Sequence, residues 1–155
     1  MFFHFNKISR PLLVAEISGN HNKNKKLFLK HIRLAAKNGA DLVKIQTYEP
    51  QDITLKKFSP KFKITKGLWK NKFLWDLYKD AYTPFQWHKD AFALAKKLKI
   101  TLFSSPFSKR AVDLLESFNV KLYKISSFEL TDLELIDYIA KKRKPIIIST
   151  GMANI

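Results

Sequence analysis

Five short, strongly apolar runs lie along this chain, and the stretches between them carry apolar residues that recur at helical spacing. That alternation leaves few folds open, because parallel strands need crossovers of a dozen residues or more and helices on those crossovers bury the strands. Leu12-Leu13-Val14-Ala15-Glu16-Ile17 reads as strand one, closed by the turn-forming Ser18-Gly19-Asn20-His21-Asn22. Residues 26–38 carry Leu27, Ile32, Leu34 and Ala35 at helix spacing, and Asn38-Gly39 is a C-terminal stop. Asp41 to Tyr48 reads as strand two. Thr83-Pro84, as N-cap and first helical residue, opens a helix to about Leu98. Ile100 to Ser105 is strand three, followed by a helix near residues 109–118. Lys121 to Ser127 is strand four, then Asp132 caps a helix over 133–142. Pro145 to Ser149 is strand five, ending at Thr150-Gly151-Met152. A closed eight-stranded barrel takes about 250 residues. The expectation is therefore an α/β fold, a partial TIM (β/α)8 barrel of about the first five β/α units, with residues 1–155 forming the N-terminal part of one domain. A five-stranded doubly wound sheet, open at its edges, is the alternative.

Residues 49–82, between strand two and its helix, form a long insert rich in Lys, Phe and Trp. Inserts of this length are uncommon unless functional. Leu68, Trp69, Phe73, Leu74, Trp75, Leu77 and Tyr78 suggest local helix packed on the rim of the sheet. Covering a substrate and merely packing are equally good readings of it.

Composition removes several classes of function. The chain has no cysteine, so disulfides and thiol catalysis are excluded. No apolar run approaches the roughly 18–20 residues that cross a bilayer, and Met1 to Lys7 lacks the order of a signal peptide. A cytoplasmic protein with no membrane partner is expected. The formal charge of +16 is also a nucleic-acid signature, and a basic, non-catalytic nucleic-acid-binding domain is the competing reading. Only four of the 29 basic residues are arginine, however, and the lysines are spread over every segment. Nucleic-acid readers favour arginine for bidentate contacts, so the pattern argues for a solvated surface instead. With four glycines in the whole chain, neither a dinucleotide fingerprint nor a P-loop is present. His4, His31 and His88 show no pairing or ligand spacing, and His21 reads as a turn histidine.

Active sites of parallel α/β folds lie at the C-terminal ends of the strands. Those ends offer Glu16, Lys44 and Gln46, Ser104 and Ser105, then Lys124, Ser126, Ser127 and Glu129, and finally Ser149 and Thr150. Lys44 and Lys124 each sit inside an apolar strand. Burying an ammonium without a partner is costly, so each needs a carboxylate or an anionic ligand. With hydroxyls from Ser105, Ser127 and Ser149, the strand ends suit a doubly anionic ligand such as a phosphorylated carboxylate. The bland alternative pairs each lysine with a structural carboxylate or lets it snorkel to solvent. Glu16 is either an ion-pair partner for such a lysine or an acid/base group. Glu129, just past strand four, reads most simply as an exposed loop carboxylate.

Five motifs carry these residues: Ala15-Glu16-Ile17-Ser18-Gly19-Asn20-His21-Asn22, Val43-Lys44-Ile45-Gln46-Thr47-Tyr48, Phe103-Ser104-Ser105-Pro106-Phe107, Tyr123-Lys124-Ile125-Ser126-Ser127-Phe128-Glu129 and Ile148-Ser149-Thr150-Gly151-Met152. In order and spacing they resemble the sialic acid synthase family. The turn at 18–22, and Leu74 to Tyr78 running on through Ala81-Tyr82-Thr83-Pro84 to Trp87-His88, resemble its pseudaminic acid synthase branch. The resemblance implies a metal-dependent condensation of phosphoenolpyruvate with an acetamido sugar, here a 2,4-diacetamido-2,4,6-trideoxyhexose, to give a nonulosonate and phosphate. It implies that Lys44, Ser105, Lys124, Ser127 and Ser149 bind phosphoenolpyruvate, that Gln46 and Glu129 face the sugar, and that Glu16 or Glu129 handles protons. It further implies a divalent metal of the Mn or Mg type whose histidine ligands lie outside residues 1–155. The last three strands, a small antifreeze-like domain and the homodimer of the full-length family are likewise expected from sequence outside this chain. An isolated chain of this length is expected to be inactive or nearly so.

Overall fold

In a computed structural model, which describes residues 9–151, 153 and 154, the apolar runs form one five-stranded sheet, all parallel, in the order β1-β2-β3-β4-β5. The strands are β1 (Val14–Glu16), β2 (Leu42–Thr47), β3 (Thr101–Pro106), β4 (Tyr123–Ile125) and β5 (Ile146–Ile148). Each lies beside its predecessor. A doubly wound sheet reverses its order at a switch point, and this one does not, so the barrel reading holds and the sheet is a half-barrel. Met1 to Lys7 and the Met152 of the last motif lie outside the described residues.

The helices are α1 (Lys25–Lys37), α2 (Pro50–Ile53), α3 (Leu74–Ala81), α4 (Phe85–Leu98), α5 (Lys109–Ser117) and α6 (Leu133–Ala140). Side chains alternate across a strand, so Val43, Ile45 and Leu102 face one side, where Phe28 and Ile32 of α1 and Ala91 and Ala95 of α4 bury them. Farther along the same face, Tyr123 and Ile125 meet Val112 and Leu115 of α5 and Leu135 and Ile139 of α6. All four crossover helices thus cover one face, and the alternate strand residues are left for the concave side.

Local chemistry accounts for the helix ends. Asn24 caps α1 through Leu27 N–H, Ser108 caps α5 through Ala111 N–H, and Asp132 caps α6 through Leu135 N–H. Two expectations change. The first, fourth and fifth strands are three residues each, shorter than expected at both ends. Pro84, not Thr83, is the N-cap of α4, and its side chain makes no capping bond. The Thr83 hydroxyl is committed to a buried bond with His21 instead.

The insert has its own structure: α2, a 3-10 turn at Pro60–Phe62, an antiparallel bridge between Lys63 and Phe73, then α3. Its exit is fastened to the loop after β1. A side chain at Gly19 would press to 3.0 Å of the Ala81 Cβ and carbonyl oxygen, so glycine is what allows the two backbones to touch. The Lys23 ammonium lies 3.1 Å from the Tyr82 ring centroid and donates to the Tyr82 carbonyl.

Candidate active site

Strand register assembles the concave face. Glu16 pairs with Lys44 across β1 and β2, and Gln46 with Ser105 across β2 and β3. Ser104 pairs with Tyr123, so the next step along both strands sets Lys124 beside Ser105. Lys44, Gln46, Ser105 and Lys124, expected from sequence to meet, therefore share one surface.

The two lysines have unlike neighbours. Lys44 Nζ lies 2.7 Å from Glu16 Oε2, while Ser18 donates its N–H and hydroxyl to Glu16 Oε1. Both Glu16 oxygens are thereby engaged, and the ion-pair reading describes its position. Lys124 has no carboxylate within ion-pair distance among the described residues, and its ammonium donates at 2.5 Å to the Ile125 carbonyl. Burial, and then repulsion from the Lys44 ammonium, push its pKa down from the ordinary lysine value, against smaller opposing pulls from Glu129 and Glu16. The site holds excess positive potential at Lys124.

Two side-chain oxygens of the strand ends and the turn after β4 are left without a partner. Ser105 Oγ is buried without a hydrogen-bond partner, as is Glu129 Oε2. Leaving such a group unpaired costs about 1–3 kcal/mol, a penalty that a ligand able to bond with it removes. Glu129 is not the exposed loop carboxylate of the simplest sequence reading. It lies in the 3-10 turn Phe128–Thr131, half buried, and burial raises its pKa above the usual carboxylate range despite bonding to Ser126. Ser127 is exposed at the head of that turn. Gly151, at φ 58°, packs against it so closely that a Cβ would stand 3.1 Å from Ser127 Cβ. Ser149 is partly buried, and its N–H donates to the Ile125 carbonyl, placing it directly after β5 beside the end of β4.

Sequence reasoning missed a polar chain on the helix side of the sheet. His88, which has no partner by spacing, is fully buried, and its Nδ1–H donates to the Pro84 carbonyl. The other ring nitrogen then accepts from the Thr47 hydroxyl at 2.8 Å, and Thr47 meets Ser104 Oγ at 2.6 Å. Burial lowers the His88 pKa to about 4. The available signal was two hydroxyl residues, Thr47 and Ser104, at helix-facing positions of adjacent strands that are otherwise apolar. His21 is likewise buried, with its pKa lowered to about 4 by burial and then by Lys23. It accepts from Lys23 N–H at Nδ1 and so donates from Nε2 to Thr83. Neither histidine is free to bind a metal. Among the described residues no group of three or more His, Asp or Glu side chains is gathered to hold one.

Tyr78, on the insert helix α3, was also unassigned. Its ring meets Tyr48 edge-on at 6.0 Å, and its pKa is raised by burial and by the nearby Glu129 charge. The insert thus reaches the strand ends.

The model of the NeuB family matches residues 31–155. The chain belongs to the NeuB family. It is 47% identical over 143 residues to a pseudaminic acid synthase of Helicobacter pylori, covering 92% of this chain and 42% of that protein. It is 43% identical over 150 residues to a pseudaminic acid synthase of Campylobacter jejuni, covering 97% and 44%. The chain therefore spans less than half the length of these relatives. In three dimensions it resembles an N-acetylneuraminic acid synthetase of Leptospira borgpetersenii solved with citrate, with a TM-score of 0.81 at 23% identity over 99% of this chain and 51% of that one. A truncated 3-deoxy-D-arabino-heptulosonate 7-phosphate synthase of Thermotoga maritima matches at a TM-score of 0.60 and 8% identity, covering 100% and 47%. At these identities the structural likenesses speak for the fold, and they bear out the partial barrel. Both of these sequence relatives carry the name pseudaminic acid synthase. No helix of the described residues is long and apolar enough to cross a membrane.

Proposed function

We propose that this chain carries the phosphoenolpyruvate cradle of a nonulosonate synthase, a C–C bond-forming transferase that condenses phosphoenolpyruvate with a 2,4-diacetamido-2,4,6-trideoxyhexose. In that reaction carbon three of phosphoenolpyruvate bonds to the sugar aldehyde carbon. Water adds at carbon two, and the C–O bond to phosphate breaks. The observation that carries the reading is Lys124, a partly buried ammonium that feels the Lys44 charge and has no carboxylate within ion-pair distance among the described residues. An anion with two charged ends answers both lysines at once.

In this reading Lys44 and Lys124 hold the phosphate and carboxylate, and Ser105, Ser127 and Ser149 donate hydroxyl hydrogen bonds. The ammoniums stabilise the charge that develops as phosphate departs. Glu16, spent on Lys44 and Ser18, acts chiefly by fixing Lys44. Glu129, with a raised pKa and a free buried oxygen, is the better proton carrier, and Gln46 faces the sugar. The divalent metal of the Mn or Mg type implied for such a reaction does not fit the side chains gathered here. Its ligands, like the homodimer, belong to parts of the full-length enzyme other than these residues.

Calorimetric titration of the chain with phosphoenolpyruvate tests the reading. Saturable binding is expected, weakened at least tenfold in Lys124→Met and less in Ser127→Ala. Equal binding of phosphoenolpyruvate by the wild type and by Lys124→Met would sink it.

A further inference from the structure

At the N-terminal ends of β3 and β4, the opposite end of the strands from Ser105 and Lys124, a cavity of about 530 Å3 opens. It lies between the C-terminal ends of α4 and α5. Its size falls in the range of small-molecule pockets, about 300–1,000 Å3. Buried Leu102 and Val120 supply apolar surface, together with Phe92 and Phe118, which stack with ring centroids 5.2 Å apart and planes 15° from parallel. Both rings are only partly buried, so each keeps surface that a ligand can cover. Because β3 has a strand on either side, the recess is built within the body of the sheet rather than at an open edge.

Every charged side chain that lines this cavity is a lysine: Lys96, Lys99 and Lys121. None of the three has a carboxylate within ion-pair distance among the described residues. Glu116, in the last turn of α5, is taken up by Lys144 and the Tyr123 hydroxyl. The helix ends answer part of the charge, since each C-terminus carries about half a negative charge. Two such ends against three ammoniums leave a surplus of about two positive charges. Thr101 and Asn119 complete the polar lining with a hydroxyl and a carboxamide.

A phosphate monoester carries about 1.5 to 2 negative charges near neutral pH and three acceptor oxygens, which matches that surplus. A single carboxylate would leave half of it unanswered. The stacked rings and the apolar floor call for a flat apolar body on the same molecule. We infer that this recess binds a small phosphate monoester with an aromatic body, the ring lying against Phe92 and Phe118 and the phosphate among Lys96, Lys99 and Lys121. The inference uses none of the strand-end residues and stands apart from the proposed function.

The test titrates the chain with 1-naphthyl phosphate, inorganic phosphate and 1-naphthol, by calorimetry and naphthyl fluorescence. The naphthyl phosphate is expected to bind at least tenfold more tightly than either half of it alone. Lys99→Met and Lys121→Met, both at exposed positions, should each weaken it about fivefold. Lys37→Met, which removes an exposed lysine of α1, should leave it within twofold of wild type. Nuclear Overhauser contacts from the naphthyl protons should fall on Phe92, Leu102 and Phe118. The assignment is wrong if naphthyl phosphate binds no more tightly than phosphate or naphthol, or if Lys99→Met and Lys121→Met bind it as the wild type does. An equal loss in Lys37→Met would reduce the effect to overall charge and overturn the site. Loss of binding in Lys124→Met with retention in Lys99→Met would move the ligand to the other end of the strands and overturn it too.

Discussion

The two flanks of the half-barrel treat their polar groups in opposite ways. On the β1–β2 side nearly every one has a partner: Glu16 with Lys44 and Ser18, His21 with Thr83, and Thr47 with His88 and Ser104. Toward β4 the Lys124 ammonium feels the charge of a second ammonium, while Ser105 Oγ and Glu129 Oε2 are buried and unbonded. A satisfied buried network fixes geometry, whereas unsatisfied groups cost folding energy that a ligand restores. The bonded flank is thus the frame, and the unbonded one is where a ligand has work to do.

Breaking the frame should cost the most. His88→Ala removes a fully buried ring and strands the Thr47 hydroxyl, so a loss of about 3–4 kcal/mol in urea unfolding is expected. A loss under 1 kcal/mol would show that the network holds nothing together. Acid attacks the same flank by another route. His88 has a folded pKa of about 4 against an ordinary 6.5, so between those values the unfolded chain binds the proton first and stability falls as pH falls. Its contribution is intact above pH 6.5 and should shrink by about 2–3 kcal/mol by pH 4.5, with His21 adding in the same direction. Urea titrations across that window check it, and a flat profile would contradict the burial of both rings.

The unbonded flank should respond in the opposite sense, and least. Lys124→Met removes a partly buried charge that is repelled by another ammonium, so stability should hold within about 0.5 kcal/mol or rise slightly. The matching Lys44→Met leaves Glu16 without its ammonium and should destabilise the chain by about 1 kcal/mol. If the two variants behaved alike in unfolding, the contrast between the flanks would be lost. Anion binding sharpens it further. Because the Lys124 pKa is depressed, phosphoenolpyruvate affinity should fall with rising pH earlier than an ordinary lysine would allow, and Lys124→Met should abolish that early fall.

Much of the frame was legible in the residues alone. Helical spacing with the Asn38-Gly39 stop located α1, and Asp132 as a cap located α6, since a helix is a local structure whose period and ends are written in neighbouring residues. The start of α4 was misplaced by one residue because Thr83, a good capping residue by type, spends its hydroxyl on His21, 62 positions away. The concave cluster was partly legible too. Lys44 and Lys124 stand out as charges inside apolar strands, and the two-residue strand period puts Gln46 beside Lys44.

By itself, then, the sequence determined the alternating α/β pattern, the identity of the strand-end groups and the likeness to a synthase family, all of which depend on local periodicity and motif order. Only the tertiary structure decided which lysine is paired. Glu16 reaches Lys44 and not Lys124 because parallel pairing sets β1 against β2 and leaves β4 three strands from β1. It alone turned the 49–82 insert from a long loop into a segment fastened to the strand ends, because the contacts of Gly19 with Ala81 and Tyr48 with Tyr78 join residues 30 or more positions apart. Partners that far apart are chosen by strand register and packing rather than by any local preference.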